Sequence, residues 1–166
     1  MAGGRYRGTA ATTDTLDIAP RLETPMSTDT FSTEIGDDLA TGIVSAARTS
    51  LGDTLRSVVY FTPSALEILY LRQGLYDSME EARPAKTQLV ELERVGFAER
   101  PVRTAITDRE DGSEIGPYEF TVRFHEDGFV VRVLQGDAGV LLTIDSMDVN
   151  AFEDAATAVR QLLRDA

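Results

Sequence analysis

His125 is the single histidine of the chain, set between Phe124 and the acidic pair Glu126-Asp127. A general base needs an orienting partner and a pocket. With no cysteine and no distinctive serine motif in the sequence, His125 reads as a solvated turn residue. One histidine is also too few for an H-E-x-x-H zinc site. The run DREDGSE, residues 108–114, has the composition of a calcium loop but not its spacing. With Gly112 at the sixth position, Thr107 and Arg109 fall at the first and third, where calcium needs carboxylates. It reads as a solvated acidic loop. No G-x-x-x-x-G-K-[ST] or G-x-G-x-x-G occurs, and Lys86 follows Pro84-Ala85 rather than a glycine-rich loop. Without cysteine there are no disulfides, thiolate nucleophiles or cysteine-based zinc sites. These readings assign no catalytic residue, metal or cofactor, and the chain is expected to be non-enzymatic.

Polar residues on strands are more informative. Glu119, Thr121 and Arg123 alternate with apolar residues and are expected to share one sheet face with Arg132 and Thr143. Opposite charges paired across strands stabilise by roughly 0.2–1 kcal/mol each. The five residues read as a solvent-facing sheet surface. The functional alternative is a docking face for a protein partner or a second copy.

Charge sets the solvent in which these groups are read. Lys86 is the only lysine; fifteen arginines join it against 28 Asp and Glu, for a net charge of −12. Carboxylates retain water and ions at molar salt, whereas the lysine stem only adds exposed hydrocarbon. Such acidity argues against nucleic acid, which needs a positive patch. At 1 M salt the Debye length is about 3 Å, so neither repulsion nor steering reaches far. No apolar run approaches the roughly 20 residues of a membrane span, and MAGGRYRGTA lacks the apolar centre of a secretory signal. A cytoplasmic location is expected.

The 166 residues suffice for one domain with its own core. Residues 1–28 read as a flexible tail, or as an extension from an upstream start with Met26 as the true beginning. Three acids and three arginines leave this segment neutral, so the net charge lies in residues 29–166, a single domain. From Phe31, apolar residues recur every four positions through Ile35, Leu39, Ile43, Ala47 and Leu51, a helix stopped by Gly52. Gly36 and Gly42 weaken it and mark close packing. Residues 55–61, LRSVVYF, read as a strand, Thr62-Pro63-Ser64 as a turn, and residues 65–71 as a second strand with Leu66, Ile68 and Tyr70 on one face. A helix starting at Pro63 is the competing reading. Ser78 and Glu81 form a capping box. The helix after it is expected over 84–95, burying Leu89, Leu92 and Val95, with Gly96 in a left-handed C′ position. Residues 98–117 read as a loop. Three strands follow, YEFTVRF, FVVRVL and VLLTID, the first two joined at Asp127-Gly128. A last helix has Asp148 as N-cap, Met147 and Phe152 as a hydrophobic staple, and a buried stripe through Ala155, Ala156, Val159, Leu162 and Leu163. The expected fold is α+β, a five-stranded antiparallel sheet in the order α-β-β-α-β-β-β-α packed with helices.

Three resemblances follow. ALEILYLRQGLYDSMEEA, FTVRFHEDGFVVRVLQGDAGVLLTID and AFEDAATAVRQLL resemble small acidic haloarchaeal proteins of unknown function, over roughly residues 55–165. In these a strand ends in Y-x-R, here Tyr70-Leu71-Arg72. The element order resembles the roadblock/longin (profilin-like) class, which implies a homodimeric scaffold or small-GTPase regulator without catalytic residues. Finally, Leu89-x-x-Leu92-Glu93-x-x-Gly96-Phe97-x-x-Arg100 resembles the recognition-helix-to-wing segment of winged-helix regulators. That makes a DNA-binding regulator using residues 63–100 the alternative function, although only Lys86, Arg94 and Arg100 are basic within residues 85–100.

Overall fold

The computed structural model describes residues 35–109, 112, 114–146 and 148–166. The readings of the leader, Met26, Phe31 and Met147 lie outside these residues. The elements are α1 (Asp37–Leu51), β1 (Leu55–Phe61), β2 (Leu66–Leu71), α2 (Met79–Glu93), α3 (Val95–Ala98), α4 (Arg100–Thr107), β3 (Thr121–His125), β4 (Gly128–Gln135), β5 (Ala138–Ile144) and α5 (Val149–Asp165). The five strands form one sheet in the order β2-β1-β5-β4-β3, and every neighbouring pair is antiparallel. This is the α+β architecture expected from the sequence, with two short helices added.

The sheet is covered on both faces. One face packs against α1 and α5, burying Leu55, Val58, Val131, Val133, Val140 and Leu142 with Ile43, Ala47, Phe152 and Val159. Full burial of each such Val, Leu, Ile or Phe side chain stabilises by roughly 1.5–3 kcal/mol. The other face packs beneath α2 and α3, where Val59, Phe61, Leu66 and Leu141 meet Val90, Leu89 and Phe97. Coverage on both sides explains why β4 and β5 are nearly continuous apolar runs instead of alternating ones: most of their residues are buried.

Several local expectations are corrected. Gly36 is the N-cap of α1 and not an interior residue. Gly42 does face a neighbour, since a Cβ there would meet the Leu162 methyls of α5 at 3.5 and 3.6 Å. The hairpin β1–β2 forms, and the competing helix from Pro63 does not. Its register shifts so that Val58 opposes Tyr70 while Val59 opposes Ile68. Leu69 is the extra residue of this bulge, so Tyr70 joins the α1–α5 side while Leu66 and Ile68 stay on the α2 side.

α2 starts five residues earlier than expected, because the Ser78 hydroxyl accepts from the Glu81 N–H at 3.1 Å and caps Met79 onward. It continues through Pro84. Residues 100–107, expected as loop, are helical, with Pro101 in the first turn, where a missing N–H costs nothing. β3 starts at Thr121, so Tyr118, Glu119 and Phe120 precede the strand.

The winged-helix reading is overturned at this level. Residues 63–100 supply a strand of the main sheet and a helix lying on that sheet, followed by α3, where a wing would need strands.

Candidate functional site

The buried stripe of α2 is Ala82, Lys86, Val90 and Glu93. Leu92 and Val95, expected to be buried, are 49% and 47% exposed. The helix is therefore rotated from the phase its leucines suggest, and it turns two opposite charges toward the sheet. Lys86 and Glu93 lie two helical turns apart on one face, and each organises a polar cluster.

At the Glu93 end, Arg132 of β4 donates through Nη1 to the Glu93 carbonyl at 3.2 Å and to its Oε2 at 3.3 Å. Arg123 of β3 donates through Nε to Glu93 Oε1 at 2.5 Å. Arg132 Nη2 reaches Glu99 Oε2 at 2.8 Å and Thr121 Oγ1 at 3.0 Å. Burial disfavours the Arg132 charge, but the hydrogen bonds it donates to Tyr118 and Glu99 and their Coulomb attraction outweigh it and raise its pKa. Gly96 completes the cluster. A Cβ there would lie 2.5 Å from the Arg132 guanidinium carbon, so the guanidinium occupies the space a side chain would take. Gly96 sits within α3, not in the left-handed C′ position expected of it.

At the Lys86 end, the ammonium donates to Ser57 Oγ at 2.7 Å, with Thr143 Oγ1 at 3.5 Å. The two hydroxyls are 2.5 Å apart. The Tyr76 ring centroid lies 5.9 Å from the ammonium. Lys86 is only 6% exposed. Burial, followed by repulsion from Arg56, lowers its pKa to about 8. Its partners are neutral hydroxyls and a ring; among the described residues no carboxylate comes within ion-pair distance.

Lys86 and Thr143 line a groove of about 370 Å³ with Arg56, Leu89, His125 and Glu126. A larger groove, about 570 Å³, runs along α1 past Arg48, Asp53 and Leu69. It has no comparable convergence of buried polar groups. The smaller groove is the one with chemistry.

The five sheet residues singled out from the sequence separate in space. Arg132 is 2% and Thr143 9% exposed, so neither lies on a solvent-facing surface. Thr121 and Arg123 sit on the edge strand beside them and join the Glu93 cluster. Glu119 lies outside the strand and pairs with Arg160 of α5 at 2.7 Å. His125 is an exposed residue at the mouth of the groove.

Lys86, Glu93 and Ser57 escaped the sequence reading. A signal was present: Ala82, Lys86, Val90 and Glu93 follow helical spacing, and Arg132 interrupts an otherwise apolar strand that invites a buried acidic partner.

A family model described as a domain of unknown function (DUF7522) matches residues 41–164. No curated protein matches the sequence. Among solved structures, the gliding protein mglB from Thermus thermophilus is similar with a TM-score of 0.49 at 11% identity, covering 80% of this chain and 95% of that chain.

Proposed function

The chain belongs to the DUF7522 family of domains of unknown function, and we propose that it is a non-enzymatic interaction module that pairs through β3 with a second copy of itself. One observation carries this reading. β3 is an edge strand, and Val122 and Phe124 on it are 39% and 76% exposed. An edge with unpaired backbone groups is a ready template for another strand unless lysine, proline or a bulge blunts it. β3 has no lysine or proline, and its pairing with β4 is regular. The Phe124 ring stands edge-on to Phe129, 5.1 Å away between centroids, which extends the buried aromatic cluster out to the surface.

A second copy is the occupant that fits. Antiparallel pairing of two β3 strands about a two-fold axis presents the same apolar pair from both sides. Arg123, on the alternate face, is already paired with Glu93, so bringing two copies together does not set unpaired charges against each other. The roadblock/longin-like element order supports a dimeric scaffold, and a small GTPase is the partner class that resemblance implies. The acidic, lysine-poor composition fits a cytoplasm of high salt.

Sedimentation equilibrium across a wide concentration range, in dilute and in molar KCl, tests the dimer. The expected result is a monomer–dimer equilibrium with slowed amide exchange in residues 121–125. A monomer at every concentration and salt overturns the reading.

A further inference from the structure

We propose that the groove between α2 and the β3–β4 turn is a binding site for a small oxyanion, a carboxylate or phosphate group, held by Lys86 and Arg56. The argument starts from an incomplete charge. An ammonium taken out of water requires a counter-charge or gives up its proton. Lys86 is 6% exposed, and every polar partner it has is neutral. Glu93, the acid on its own buried stripe, is committed to Arg123 and Arg132. Arg56, which lines the same groove, repels the Lys86 ammonium. Two cations line one open groove, and the more buried of them lacks an anion.

The remaining groups around Lys86 leave that position open. Ser57 and Thr143 take up donors on the β1 and β5 side, and Tyr76 covers the ammonium from the segment before α2. Arg56 donates to the Asp127 carbonyl at 3.1 Å and pairs with Asp145 at 3.4 Å, which fixes its guanidinium at the groove. His125, Glu126 and Asp127 ring the mouth and are all exposed. Water screens the charges of these exposed groups. Leu89 and Val130 offer apolar wall to whatever carries the oxyanion. The ammonium and guanidinium give charge-assisted hydrogen bonds in a partly desolvated setting, where such bonds are strongest.

The chain has one lysine, so lysine carrying ¹³C at Cε gives a single side-chain resonance that reports this site. The full chain is titrated with pH at constant ionic strength, alone, with inorganic phosphate and with acetate. Without oxyanion the midpoint is expected near 8. A ligand that binds the ammonium form tenfold better than the amine raises it by about one pH unit. A saturable rise with phosphate only marks a phosphate site, with acetate only a carboxylate site; either supports the proposal. An unmoved midpoint, or a drift that never saturates and is equal for all salts, overturns it. Arg56→Gln should weaken saturation about tenfold, the share of one charge-assisted contact. An unchanged dissociation constant in that variant places the anion elsewhere and also overturns it.

Discussion

Glu93 of α2 and Arg132 of β4 meet as a buried ion pair between helix and sheet, the first fully buried and the second 2% exposed. Arg123 closes on the same carboxylate from the edge strand. The pair locks the rotation of α2 about its own axis, because no other phase of the helix brings Glu93 over the sheet.

Glu93→Ala should therefore destabilise by about 3 kcal/mol, the lower end of the cost of breaking a buried pair, because Arg132 keeps Glu99 and Thr121 as partners. Urea denaturation measures it. Glu93→Leu combined with Arg132→Met should recover most of that loss, since an apolar pair of similar size removes the uncompensated charge.

Gly96→Ala should cost about 1–3 kcal/mol. The new methyl would lie 2.5 Å from the Arg132 guanidinium carbon and 2.7 Å from a Leu134 methyl. Adding Arg132→Met should reduce the penalty. An equal penalty in both backgrounds would place the strain elsewhere.

Lys86 gives the protein a stability that rises with pH in the absence of bound anion. Its folded pKa is lowered to about 8 from 10.5, so between these values the unfolded chain holds a proton that the folded chain has released. Stability then increases with pH across that window, by an amount on the order of 3 kcal/mol. Lys86→Met should abolish the slope and stabilise the fold at pH 7. Thermal or urea unfolding of both proteins at pH 7, 8, 9 and 10 checks the sign.

Asp145 predicts the opposite pH behaviour on a smaller scale. The hydrogen bond from Arg72 lowers its pKa below the ordinary 3.8, with the Coulomb attraction of Arg72 and Arg56 adding to it. Its contribution is present above that ordinary value and is lost as pH falls through the folded one. The carboxylate is well exposed, at 38%, so Asp145→Asn should cost no more than about 1 kcal/mol at pH 7. The difference from wild type should vanish in strong acid and shrink in molar salt.

Phe124→Asp should weaken self-association about 30-fold or more, the effect of removing a central aromatic anchor. Because Phe124 is 76% exposed in the single chain, the unfolding midpoint measured at monomer concentrations should hardly move. A lowered midpoint with unchanged association would assign Phe124 to the core and not to an interface.

Local chemistry made much of this fold readable. The α1 stripe through Ile43, Ala47 and Leu51, the capping residues Ser78 and Asp148, the hairpin at Thr62-Pro63-Ser64 and the element order all follow from side-chain period and turn preference, which act within a few residues. α4 was not readable, since its eight residues bury nothing and leave no apolar stripe against a core. The two buried clusters were only partly signalled. Lys86 and Glu93 look like solvent residues of a helix whose leucines suggest another phase, and the break that Arg132 makes in an apolar strand points to a buried partner without saying which residue it is. By itself the sequence determined the five strands, the three long helices, their order and the acidic composition. Only the tertiary structure decided that α2 lies over the sheet on its charged side. Pairing Glu93 with Arg132 depends on residues 39 positions apart, and the favourable energy of that contact exists only once the low-dielectric space between helix and sheet has closed around it.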